Sequence, residues 1–157
     1  MERRDFLTRT LGPSALVLAA VTGMPAAQAQ SANAAGWNKA AFDSKSMADA
    51  AKAMGATSAP VESKDLVLVA PEIAENGNVV RVEARSAIAG TTQIAFVIEK
   101  NPSALAASFD IPAGTDANVK TNVKMGQTSN VYALAKAGDK FYYAVKEVKV
   151  TLGGCGG

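Results

Sequence analysis

From Lys64 onward the chain alternates apolar and polar residues with a period of two, and turn residues interrupt the alternation every 8–12 residues or so. Val80, Val82 and Ala84 alternate with Arg81, Glu83 and Arg85. Ile94, Phe96 and Ile98 form a second such set, and Val119, Thr121, Val123 and Met125 a third. Leu66 to Val69 is a short apolar run bounded by Pro71, and Ala106 to Ile111 is stopped by Pro112 and Gly114. Residues 131–136 and 140–152 are joined by Ala137-Gly138-Asp139, a hairpin turn. Glu75-Asn76-Gly77-Asn78 carries an Asn-Gly turn signal. Side chains of a strand alternate between its two faces, so short segments of this kind pair into sheets with one wet and one dry face. About seven strands over 64–152 predict an antiparallel β-sandwich of immunoglobulin-like architecture. The disulfide of antibody domains is absent, because the chain has one cysteine.

Two places break the simple pattern. In 140–152, Phe141, Tyr143 and Val145 share one parity, while Val148, Val150 and Leu152 share the other. Lys146 and Glu147 sit at the switch, and a β-bulge there would keep both sets facing inward. In 131–135, Val131, Ala133 and Ala135 alternate with Tyr132 and Leu134, so both faces are apolar. That demands a cover on each side, either a partner subunit or the chain's own N-terminal helix.

A helical segment is expected at about 37–55. Ser46 with Asp49 three residues on resembles a capping box, and Met47, Ala50, Ala51 and Met54 repeat at helical spacing. Gly55 suits the position just past a helix end. Trp37, Phe42, Met47 and Met54 could line a cofactor site, but core packing is the simpler reading.

The chain has no histidine. This removes the Ser–His–Asp triad, the Cys–His pair and imidazole-dependent zinc sites. One cysteine removes an internal disulfide and a CxxC redox pair. That cysteine is Cys155, within Gly153-Gly154-Cys155-Gly156-Gly157 at the C-terminus. Five extended residues reach roughly 17 Å, and glycine adds no bulk. The thiol can therefore enter a narrow site on another molecule. An ordinary thiol has a pKa of about 8.5, and the nearest basic side chain in sequence is Lys149. Activation must come from a partner, so the cysteine is an attachment point for cargo and the chain is not itself an enzyme. No catalytic residue, metal ligand or bound cofactor is expected.

The N-terminus sets the compartment. Arg3 and Arg4, followed by Asp5-Phe6-Leu7, resemble a twin-arginine export signal. A modest apolar stretch from Leu11 to Met24 follows, too short to span a membrane, and Ala27-Gln28-Ala29 is an A-x-A cleavage site. Residues 1–29 are thus a signal peptide, residues 30–152 one carrier domain beginning with a flexible stretch over 30–36, and residues 153–157 a swinging arm. Cleavage leaves 13 basic and 12 acidic residues, a net charge of +1. Neither a nucleic-acid stripe nor a polybasic membrane anchor survives in that balance. The expected location is the periplasm.

Other readings of the tail are weaker. A terminal Gly-Gly resembles the ubiquitin-like sulfur carriers, but those need ATP and a different fold. A prenylation signal places its cysteine four from the end, and Cys155 is third. A soft metal needs a second thiolate or an imidazole. An interchain disulfide is the chief alternative, making the chain an exported binding module. Flanking glycines count against it, because they maximise the entropy lost on fixing the tail.

The segment Lys149-Val150-Thr151-Leu152-Gly153-Gly154-Cys155-Gly156-Gly157 resembles the C-terminus of the SoxY family, sulfur-carrier subunits of periplasmic thiosulfate oxidation. Val69-Ala70-Pro71-Glu72-Ile73-Ala74-Glu75-Asn76-Gly77 and the twin-arginine segment are similar to that family too. The resemblance implies that Cys155 carries thiosulfate-derived S-thiosulfonate and persulfide groups. It implies a heterodimer with a SoxZ-like subunit, and transient docking to a SoxAX-type cytochrome, a manganese-dependent SoxB-type hydrolase and a sulfur dehydrogenase.

Overall fold

The computed structural model describes residues 38–151. Short helices α1 (Lys39–Phe42) and α2 (Met47–Ala53) precede the strands β1 (Val61–Glu62), β2 (Leu66–Val69), β3 (Ile73–Ala74), β4 (Val80–Ser86) and β5 (Thr91–Ile98). Then come β6 (Leu105–Asp110), β7 (Asn118–Val123), β8 (Ser129–Ala137) and β9 (Lys140–Val150). The mainly β character, the sandwich and the short helical segment are as the sequence predicts.

The helical segment is two helices and not one. Ser46 adopts an extended backbone (φ −140°, ψ 164°) and its Oγ accepts the Asp49 N–H at 3.1 Å. A residue that caps a helix start cannot also continue a helix through itself. The preceding Ser44 carbonyl is turned away to accept Ala104 N–H at 2.9 Å. At the far end Gly55 has φ +99°, with Ala56 N–H on Ala51 C=O and Gly55 N–H on Lys52 C=O. That pair of bonds is the Schellman arrangement, and it needs glycine at the left-handed position. The side chain of Asn38 ties the helices together. Its Oδ1 accepts from Ala41 N–H, and its Nδ2 donates to Ala53 C=O at 2.7 Å.

There are nine strands among the described residues. The larger sheet runs β1-β9-β8-β5-β6, with β3 also pairing β9, and the smaller runs β2-β4-β7. The seven longer strands pair antiparallel. The two extra ones, β1 and β3, hold two residues each and pair parallel with opposite ends of β9. Two residues carry no readable alternation, which is why the sequence did not show them.

Three layers result. Ile94, Phe96, Ile98, Val131, Ala133, Ala135 and Val148 fill the space between the sheets with Leu66, Val80, Val82, Ala84, Val123 and Met125. On the other face of the larger sheet, Ala95, Val97, Leu105, Leu134 and Phe141 pack beneath Ala41, Ala50 and Ala51 of the helices. Phe42, Met47 and Met54 join this second cluster as packing residues; Trp37 lies outside the described residues. The doubly apolar strand 131–135 is therefore covered on both faces from within the chain.

The same layering removes the expected bulge at Lys146–Glu147. The β8–β9 register is unbroken from Ser129↔Val148 to Ala137↔Lys140. Phe141 and Tyr143 point to the helices, whereas Ala144, Val148 and Val150 point into the sandwich. The parity switch marks where β9 passes out from under the helices. Beyond them Val145 is exposed, and Lys146 extends its Nζ to Ala70 C=O at 2.8 Å. Register irregularities occur in β5 instead, at Thr91/Gln93 and Phe96/Val97.

Candidate functional site: the base of the C-terminal arm

Every residue the sequence singles out for chemistry or export lies outside the described residues: Cys155, its flanking glycines Gly153, Gly154, Gly156 and Gly157, and Arg3 and Arg4. So do the signal segment 1–29 and the stretch 30–36. What the structure describes is the foundation from which the tail departs, as far as Thr151.

That foundation is built by the segment 69–77. It leaves β2 in the smaller sheet, crosses to the larger one and runs beside the last residues of β9. Lys149 N–H donates to Glu72 C=O at 2.9 Å, and Thr151 N–H to Ala74 C=O at 3.1 Å. Ile73 and Ala74 pair with Lys149 and Val150. From the opposite side Val150 N–H donates to Thr128 Oγ1 at 3.0 Å. The final three described residues are thus bonded on both edges.

Gly77 closes the segment. Its carbonyl accepts Met125 N–H at 2.7 Å. A Cβ placed on Gly77 would stand 2.4 Å from the Met125 carbonyl oxygen and 2.9 Å from Val150 Cγ1. The Asn-Gly signal reads correctly as a turn: Val79 N–H bonds Asn76 C=O, and Asn78 N–H bonds Asn76 Oδ1 at 3.0 Å. The reason for the glycine, however, is close backbone approach by β7's continuation, a contact across 48 positions that no local pattern announces. Thr128, Thr151 and Lys146 were likewise invisible as site residues. The signal that pointed here was the family-like string 69–77.

The other described residues offer little competing chemistry. Among the described residues no group of three or more Asp, Glu, His or Cys is placed to hold a metal ion. A cleft of about 470 Å³ lies between the β4–β5 and β6–β7 connections, at the far end of the sandwich from Thr151. Asp116 is the one ionisable residue on its lining. Its hydroxyls are already partnered, Ser86 Oγ with Thr91 Oγ1 at 2.8 Å and Thr115 Oγ1 with Pro112 C=O. On the outer face of the smaller sheet Glu83 is nearly buried beneath Arg85 and Lys120, the latter at 3.0 Å. Hydrogen bonds from Arg85 and then Lys120 hold its carboxyl below the usual range. This is a fastening between strands, with no reaction partner facing it. No helix among the described residues is long and apolar enough to cross a membrane.

The last strand of this sandwich is fastened on both edges, a few positions before a glycine-flanked cysteine in the sequence. The model of the family described as sulfur oxidation protein SoxY matches residues 50–155, a span that includes Cys155. The chain belongs to the SoxY family and has a sulfur-carrier role. It is also similar to a solved structure of the sulfur carrier protein SoxY from Chlorobium limicola f thiosulfatophilum. Identity there is 40%, the match covers 66% of this chain and 96% of that one, and the TM-score is 0.58. No curated protein matches this chain.

Proposed function

We propose that this chain carries thiosulfate-derived sulfur covalently on Cys155, moving it between the enzymes of thiosulfate oxidation in the periplasm. The observation that carries the reading is the family match through Cys155, the one cysteine in the chain. The proposed first step joins the thiol to the outer sulfur of thiosulfate, giving Cys155–S–S–SO₃⁻, one proton and two electrons. A c-type cytochrome complex of the SoxAX type accepts the electrons. Water, directed by a SoxB-type hydrolase, then releases sulfate and a proton and leaves Cys155–S–SH. A sulfur dehydrogenase oxidises that persulfide. The chain contributes no acid, base or electrophile to these steps. It contributes attachment, reach and a high local concentration of the intermediate wherever the carrier docks.

The glycines serve entry. Gly153 and Gly154 leave the backbone slim at the mouth of a partner's site, and Gly156 and Gly157 add no bulk beyond the sulfur. A SoxZ-like subunit completes the proposed heterodimer, and Arg3 and Arg4 direct export of the folded pair.

The deciding experiment is reconstitution with thiosulfate. Mass spectrometry of the mature protein should find an S-thiosulfonate or persulfide on Cys155, and Cys155→Ser should abolish thiosulfate-dependent electron transfer. A Cys155→Ser variant with full activity would end the carrier reading. A covalent dimer whose reduction leaves activity unchanged would favour the disulfide clamp.

A further inference from the structure

We propose that residues 70–77 form a strap that sets where the carrier arm begins, with Gly77 as its lock and Lys146 as its second fastening. The inference rests on the carrier reading above and adds positioning residues to it. Residues 149–151 belong to β9 or follow it, and the strap side of this end is held by the two-residue pairing with β3 and by Thr151 Oγ1, which donates to Glu75 C=O at 3.5 Å. The strap supplies the acceptors for Lys149 N–H and Thr151 N–H, at 2.9 and 3.1 Å. With the strap in place, residues from 152 onward constitute the arm. With the strap lifted, Val150 N–H on Thr128 Oγ1 would be the remaining backbone fastening of residues 149–151, and their opening would add about 10 Å of reach.

The two fastenings sit at the two ends of the strap. Lys146 Nζ holds the Ala70 carbonyl at one end. Gly77 holds Met125 N–H at the other, in a space where even a methyl group would press on the Met125 carbonyl at 2.4 Å. Backbone is the obstacle there, so the strap has to move rather than a side chain. Ala70, Ala74 and Gly77 are buried, while Glu72, Ile73 and Glu75 are exposed. The strap thus lies on the body through small residues, with few apolar contacts to prevent local opening. A fixed exit point matters because the effective concentration of a tethered group falls roughly as the −3/2 power of tether length.

The test uses the full mature chain with Gly77→Ala and, separately, Lys146→Met, which keeps the stem and removes the ammonium. Amide hydrogen exchange at Lys149 and Thr151 should speed at least tenfold in Gly77→Ala, while amides of 141–147 keep their protection. Lys146→Met should show the same pattern more weakly. With the Cys155 S-thiosulfonate as substrate of the sulfate-releasing hydrolase, kcat should fall about twofold, as expected for a tether to the sulfur lengthened from about four residues to seven. KM should be unchanged, because Gly77 is buried and Lys146 half-buried, so neither substitution removes a fully exposed side chain. Alkylation of Cys155 by iodoacetamide should keep its wild-type rate. Exchange that rises no more at 149 and 151 than along the rest of β9 would overturn the strap. Local loosening with unchanged kcat would overturn its positioning role. If Gly77→Ala does not fold, Lys146→Met decides by the same readouts. Failure of the carrier reading is separable, since that would appear as activity retained in Cys155→Ser.

Discussion

Cys155 and Gly77 place opposite demands on their surroundings. In the proposed carrier reading the cysteine needs nothing from the fold except a point of departure. Cys155→Ser should therefore lose all thiosulfate-dependent turnover while changing stability by no more than about 0.5 kcal/mol, measured by denaturant unfolding. Gly77 is wedged between Met125 and Val150, so an added methyl group is overpacked against backbone. Such substitutions cost about 1–3 kcal/mol. Glu83 supplies a pH dependence whose sign follows from its cause. Its folded-state carboxyl is held below the ordinary 4.5 by Arg85 and Lys120. The stability it contributes is present above that value and is lost as pH falls through the depressed folded value. Glu83→Gln should flatten the acid side of the stability–pH curve below about pH 4.5 relative to wild type. An unchanged acid limb would show that the ion pairs contribute nothing to folding.

Among the elements, β9 decides most. It pairs with β8 along its length, with β1 at its start and with β3 at its end. Its two faces serve two different cores, one after the other along the strand. Because its register is continuous, deleting Glu147 should swing Val148 and Val150 to the outer face and abolish soluble folding. Were Lys146–Glu147 a bulge, the same deletion would merely regularise the strand, so expression and circular dichroism of the variant separate the two. The helices test the other core. Phe141 is 2% exposed beneath them, and Phe141→Ala should cost about 3–5 kcal/mol of stability, read from chemical denaturation.

At the scale of the whole molecule, the N-terminal helices are a third layer of the sandwich. Ala41, Ala50 and Ala51 are fully buried against Leu134 and Phe141. A chain shortened to begin at residue 56 should expose this apolar sheet face and self-associate, visible by gel filtration. A well-behaved monomer would mean the layer is dispensable. Export belongs to this scale too. Replacing Arg3 and Arg4 with lysine should leave the full-length chain in the cytoplasm, and N-terminal sequencing of the exported wild type should begin at or near Gln30.

Alternation, turn residues and the Ser46 cap are local properties, and from them the sequence by itself determined the β-sandwich, the longer strands and the site of a helix start. The terminal Gly-Gly-Cys-Gly-Gly, with histidine absent, likewise pointed to a carrier without reference to any fold. Tertiary structure alone decided what covers each apolar face. Parity in β9 says that two sets of side chains are buried, and it cannot say whether a bulge or a second core buries them. The same holds for residues 131–135, whose second cover is the chain's own helices. Strands of two residues such as β3 carry no period at all, because their pairing energy comes from β9 and not from their own side chains. Gly77 is the sharpest case: its reason is an atom of Met125, brought there only when β7 pairs with β4 and the ladder continues past both strands.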